Sequence, residues 1–143
     1  MALHTYDASQ VNTVFAGIPI AGTPDGKFLE IDYNDDAFKL TVGTNGDACR
    51  SKSNNRSAKI DITLGQWDQV NLALSALFNL DINSPNGDGI GPLMVKDNSG
   101  LSMYFAAKCW IKKPANVTFD REAKERTWNL ETNELTVYTT GGN

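Results

Sequence analysis

L-T-V-G-T-N-G-D-A-C-R-S-K-S-N-N-R-S-A-K-I-D-I-T-L-G-Q-W-D-Q-V-N-L-A-L-S-A-L-F-N, residues 40–79, is the stretch whose reading decides the fold. Phe38, Leu40 and Val42 alternate with polar neighbours, and Ile60, Ile62 and Leu64 do the same. That period of two marks strands buried on one face. Residues 43–58, between them, keep no apolar period. A connection of about fifteen residues without structure of its own is usually functional or disordered. This one is also basic: Arg50, Lys52, Arg56 and Lys59 occur with no acid among them. We expect something outside the subunit to order it. After Gly65 the period changes to that of a helix. Trp67, Val70, Leu74, Leu77 and Phe78 form one stripe, which predicts a helix over 66–80 with these residues in the core. Asp68, Asn71, Ser75 and Asn79 share another side. Leu72 and Leu80 fall off the stripe, and either meet a second apolar surface or are two ordinary exposed leucines.

A chain of 143 residues fits one domain and can bury a substantial core, about 70% of its unfolded surface. Its 41% hydrophobic and 21% charged content is ordinary for a globular protein. A net charge of −4 argues against a general grip on nucleic-acid phosphates. The charge is unevenly spread. Asp7, Asp25, Glu30, Asp32, Asp35, Asp36 and Asp47 face only Lys27 and Lys39 in residues 1–47, and the basic connection follows. Such a chain could pair head to tail with its own copies, although a charge run is more often a solvated face. Cys49 and Cys109 would permit one disulfide without requiring it. No signal-like apolar segment follows Met1 and no run reaches membrane-spanning length. Synthesis in a reducing cytoplasm with both thiols free is expected, which leaves the sequons at Asn55 and Asn116 little weight.

Residues 1–10 read as an extended polar arm. Strands are expected from Val11 to near Ile18 and over 27–33, separated by a turn at 23–26 with the proline, aspartate and glycine such turns favour. A third lies around Phe38. Residues 81–91 are a loop, 92–96 a short strand, and 97–100 a hairpin-type turn. The strand over 101–112 is the longest. Met103, Phe105, Ala107, Cys109 and Ile111 lie on one face, with Tyr104, Ala106, Lys108 and Trp110 on the other. Large apolar groups on both faces suggest a sheet covered on both sides. Short strands at 117–119, 126–131 and 134–139 follow, the last two joined by Thr132-Asn133. The expectation is about eight strands and one helix, with residues 141–143 a flexible end.

No chemistry stands out. His4 is the sole histidine and sits in the arm, away from any visible scaffold for a triad. Two distant cysteines and one histidine make a poor zinc site. The loop at 81–91 has the composition of a calcium loop, but Pro85, Asn86 and Pro92 fall where an EF-hand needs a ligand, a glycine and a glutamate. Gly87-Asp88-Gly89-Ile90-Gly91 lacks the Lys-Ser/Thr ending of a phosphate loop. No carboxylate spacing argues for a glycosidase pair. We expect no catalytic, cofactor-binding or metal-binding residues, and no enzyme.

Several segments together resemble the tail tube proteins of contractile-tailed bacteriophages. They are D-A-F-K-L-T-V-G with N-G-D-A-C-R-S-K-S-N-N-R-S-A (within 36–58), K-I-D-I-T-L leading to L-A-L-S-A-L, and G-P-L-M-V-K-D-N-S-G (91–100). F-A-A-K-C-W-I-K-K-P (105–114), V-T-F-D-R-E-A-K-E-R-T-W (117–128) and the terminal G-G-N complete the set. They span most of the chain from about residue 10. The chain departs from the family at Gly65-Gln66-Trp67, where smaller polar residues are usual. The resemblance implies a mainly β, sandwich or barrel-like fold with one flanking helix and a long inter-strand loop. It also implies hexameric rings stacked into a hollow tube, inside a contractile sheath, through which DNA passes without specific binding. Tail sheath, baseplate and tail-terminator proteins are the implied partners, and the virion tail the implied location. The loop at 43–58 is implied to reach the neighbouring ring.

The residues fit that picture. One subunit with two heterologous contacts can close into rings and extend into a filament. The basic loop and the acidic first third supply opposite signs: Arg50, Lys52 and Arg56 as inter-subunit contacts, Asp35 and Asp36 as acidic partners. An acidic wall would let DNA slide. Two alternatives remain: a tube protein of a pyocin or type VI-like injection machine, and a monomeric β-barrel that binds a small ligand.

Overall fold

The computed structural model describes residue 3 and residues 5–20, 28–98 and 102–139. The turn expected at 23–26, part of that at 97–100, His4 and the end at 141–143 lie outside the described residues. The chain is mainly β. Its strands are β1 (Val11–Phe15), β2 (Ile18–Ile20), β3 (Leu29–Tyr33), β4 (Phe38–Val42), β5 (Ala48–Lys52) and β6 (Ala58–Gly65). After one helix, α1 (Val70–Asn83), come β7 (Gly91–Asp97), β8 (Ser102–Lys113), β9 (Glu125–Thr132) and β10 (Thr136–Tyr138). The main sheet runs β2-β1-β7-β8-β9-β6-β3 with β10 also on β8, and β4–β5 form a separate two-stranded sheet.

Period-2 patterning builds the main sheet. Phe15, Leu93 and Ala106 make one buried cross-strand row, and Ile60, Leu130 and Ile111 another. Leu74 of α1 completes this core. Strand β8 changes its buried face midway: Ser102 and Ala106 are inside, then Cys109 and Ile111. Its pairing with β7 slips by one residue between Gly91 and Leu93. The extra residue of that bulge inverts the side-chain phase. This accounts for the large apolar groups that the sequence shows on both faces of β8.

Several expected elements differ. Residues 11–20 are two strands, turning at Ala16-Gly17 with both φ angles positive, 51° and 81°, the conformation of a tight type I′ hairpin. In the N-terminal arm, Ala8–Gln10 is a short 3-10 turn. Residues 117–119 form no strand, and Phe119 is 87% exposed. Strands β9 and β10 are not a hairpin. Both run antiparallel to β8 in one register, interrupted at 133–135. There the Thr132 hydroxyl donates to the Lys108 carbonyl at 2.6 Å, and Leu135 is buried.

The helix starts later than its apolar period suggests because residue 66, just past β6, is tied to the residue before β9. The Gln66 amide donates to the Lys124 carbonyl and its side-chain oxygen accepts from the Lys124 amide, both at 3.0 Å. Trp67, expected in the core, is 66% exposed. Its indole folds over Gly65, where a Cβ would lie 2.5 Å from the ring. Asp68 Oδ1 then accepts from the Val70 amide at 2.9 Å, satisfying one amide of the first turn. The helix continues to Asn83, before Ser84-Pro85, where proline disfavours a helical predecessor.

Candidate assembly surface

The long connection holds a strand of its own. Residues 43–47 turn, with the Gly43 amide on the Asp47 carbonyl at 2.7 Å, and β5 returns along β4. Every residue of both strands is exposed. The alternation in β4 therefore marks one face of a blade outside the core: Phe38, Leu40 and Val42 are bare, Leu40 at 65%. Directly opposed residues share a face, so these three lie with Lys52, Arg50 and Ala48 respectively. Lys39, Thr41, Cys49 and Ser51 take the other face. The Arg50 guanidinium carbon sits 4.3 Å from the Phe38 ring centroid, a cation–π contact. One face of the blade is thus apolar and cationic.

Its base is tied to the body. The Ser53 amide donates to the Ala37 carbonyl at 2.8 Å. Asn55 accepts from the Ser57 amide and hydroxyl, and donates through Nδ2 to Asp35 Oδ2. Asn34 donates to Ser57 from its backbone and its side chain. Arg56 Nη1 reaches Glu134 Oε1 at 2.8 Å, and the Leu135 amide donates to the Arg56 carbonyl at 3.2 Å. Of the residues singled out from sequence, Arg50 and Lys52 therefore lie on the blade. Arg56 and Asp35 lie in its base with partners in their own chain, and Asp36 is exposed beside them.

Further exposed apolar surfaces occur among the described residues. Leu72 at 75% and Leu80 lie on the outer side of α1, whose only charged residue is Asp81. Val14, Met94 and Phe105 form a half-exposed row across β1, β7 and β8. Sequence reasoning missed this row, because the three residues are far apart in the chain and only register joins them. It also missed Asn71, which accepts from the Trp128 indole N–H and donates to the Gly65 carbonyl, both at 2.9 Å.

Reactive groups are sparse. Both cysteines are free, Cys49 exposed and Cys109 buried. Burial pushes the Cys109 thiol up to about 12. Among the described residues no cluster of three or more His, Cys, Asp or Glu could hold a metal ion. No described helix is long and apolar enough to cross a membrane.

No protein-family model matches the chain. It is 27% identical over 145 residues to structural protein ORF10 of Pseudomonas phage KPP10, covering 97% of the chain and 83% of that protein. Among solved structures it resembles the tube-terminating cap of the anti-feeding prophage, with a TM-score of 0.66 at 11% identity over 98% of this chain and 95% of that one. The sheath/tube terminator of the PVC extracellular contractile injection system gives 0.66 at 9% over 97% and 100%. A chain of the PVC sheath–tube complex gives 0.60 at 8% over 95% and 93%. At these identities the structural likeness is one of fold: a β-rich body with one helix.

Proposed function

We propose that the chain is a non-enzymatic structural subunit of a contractile phage tail, made in the host cytoplasm. It assembles with its own copies as stacked hexameric rings, forming a hollow conduit for DNA inside the sheath. The free-standing blade carries this reading. A monomer gains little by holding Phe38, Leu40 and Val42 in water beside two cations, whereas a neighbouring subunit can bury the one and pair the other. Arg50 and Lys52 make the inter-ring contact, and Asp36 is the acidic partner on the next copy. Arg56 and Asp35 hold the blade at its angle. The likeness to a phage structural protein supports the virion assignment, and the fold shared with parts of contractile machines supports the sheath, baseplate and terminator as neighbours.

The test is the double reversal Arg50→Glu/Lys52→Glu, read by negative-stain microscopy. Wild-type chain is expected to form hollow tubes of constant width, and the variant to lose them while its thermal melt stays within about 1 °C, as exposed changes shift stability little. Tubes of unchanged length in the variant would sink the proposal.

A second reading is a terminating ring, favoured by the likeness in fold to a cap and a terminator. It predicts closed rings that never stack, so the same micrographs separate the two. A tube protein of a pyocin-like machine would make the same tubes. A monomeric ligand binder would need an open interior, whereas Phe15, Leu93, Leu130 and Ile60 fill this one.

A further inference from the structure

Two asparagines in the chain are followed by glycine, at Asn45-Gly46 and Asn86-Gly87. A backbone amide nitrogen can attack the side-chain carbonyl carbon of the asparagine before it, and glycine, having no side chain, shields that nitrogen least. The fold treats the two pairs differently. Asn45-Gly46 lies at the tip of the β4–β5 blade. The Gly46 amide donates to the Gly43 carbonyl at 3.0 Å, and Gly46 takes a φ of 86°. A Cβ on Gly46 would meet no described atom within 4 Å, and all of residues 38–52 are exposed. Only the turn's own hydrogen bonds restrain this pair, and a two-stranded ribbon standing alone in water is marginally stable. Asn86-Gly87 sits in a pinned loop. The Gly87 amide donates to the Ser84 carbonyl, and the Gly89 amide to Asp81 Oδ1 of α1, both at 3.3 Å. Gly89 is buried, and a Cβ on Gly87 would lie 3.1 Å from Asp81 Oδ1. Turning the Gly87 nitrogen onto Asn86 would disturb this attachment to the helix. The Asp81 carboxylate also opposes the negative charge that gathers on an attacking nitrogen.

We infer that Asn45 is a self-modification site, where the blade tip acquires a carboxylate with water as the only co-reactant. The turn opens by exchanging the Gly46 amide's bond to Gly43 for one to water, at small net cost. The Gly46 nitrogen then gives its proton to water and bonds to Asn45 Cγ. The Cγ–Nδ2 bond breaks, and Nδ2 leaves as ammonia after taking a proton from water. A water molecule next opens the five-membered imide at either of its carbonyl carbons. Opening at Cγ restores the original backbone with aspartate in place of asparagine. Opening at the main-chain carbonyl carbon gives isoaspartate, whose extra methylene lies in the backbone. Either way one water is consumed and one ammonia released. The charge change then acts as any added charge does. Residues 38–52 carry Lys39, Arg50 and Lys52 against Asp47 alone, so a second acid lowers the positive excess of the blade. The isoaspartate form also lengthens the turn that the Gly43 amide closes on the Asp47 carbonyl. None of this depends on the assembly reading above.

The test ages the full chain at neutral pH and physiological temperature, then digests it with trypsin. Cleavage after lysine and arginine places Asn45 in the peptide 40–50 and Asn86 in the peptide 60–96. Mass spectrometry follows the conversion of amide to acid, and fragment spectra place it. Conversion at Asn45 is expected at least about tenfold faster than at Asn86, because opening a bare tip costs less than freeing a tethered loop. The modified 40–50 peptide should elute as two species of equal mass, aspartate and isoaspartate. Asn45→Gln, which would have to close a larger ring, should leave that peptide unchanged. Equal rates at the two sites, or a faster change at Asn86, would overturn the assignment. So would an intact Asn45 amide after the time in which a synthetic 40–50 peptide converts fully.

Discussion

Asn71 joins three parts of the chain with one amide: its own helix, the end of β6 and the indole of Trp128 on β9. Asn71→Ala leaves the Trp128 N–H and the Gly65 carbonyl without their partner. We expect a loss of about 2 kcal/mol, the cost of unsatisfied groups near a core, read from the urea midpoint. Helical spacing put Asn71 on a polar side, and nothing in the sequence pointed to Trp128, 57 residues away. Cys109 gives a second expectation. Its thiol is raised from 9.0 to about 12 by burial, so above pH 9 the unfolded chain sheds a proton that the folded chain keeps. Stability from this group is whole below pH 9 and drains away between 9 and 12. Comparing urea midpoints of wild type and Cys109→Ala across that range checks it, and the variant should show the shallower decline.

The elements were legible where the period of two or of 3.6 served the core, as in β6, β7, β9 and α1. They were misread where the same period served something else. Strand β4 alternates because one face of the blade is apolar, not because it is buried. Strand β5, A-C-R-S-K, has no apolar period and shows only through its register with β4. The stripe that gave α1 began too early because Gln66 is tied to Lys124 in the turn after β6, and Trp67 faces water. The β1–β2 turn illustrates a constraint that no pattern reveals. Ala16 adopts φ of 51°, and a Cβ on Gly91 would lie 2.4 Å from the Ala16 Cβ. Ala16→Gly should therefore raise stability by about 1 kcal/mol by relieving left-handed strain. Gly91→Ala should lower it by about 1–3 kcal/mol through overcrowding. Thermal melts of the two variants test both signs.

At the scale of the whole molecule, charge was the only signal in the sequence for the expected assembly residues. Charge alone grouped Arg50, Lys52 and Arg56, but the fold sends two of them outward and gives the third a partner in its own chain. Blade docking as proposed would join apolar burial to charge pairing, so salt should weaken it without abolishing it. Charges at the rim are screened over about 8 Å at physiological strength, while burial of Phe38, Leu40 and Val42 is not. Tube yield measured against salt should fall for wild type and stay flatter for Arg50→Gln/Lys52→Gln, from a lower start. The blade also separates two selective pressures on one gene. Residues 38–52 add nothing to the interior, so under the proposed assembly substitutions there would change which neighbours a copy accepts with little effect on its fold. On that proposal a lineage could drift away from its relatives in compatibility, its particles ceasing to mix, while each chain went on folding as its ancestor did.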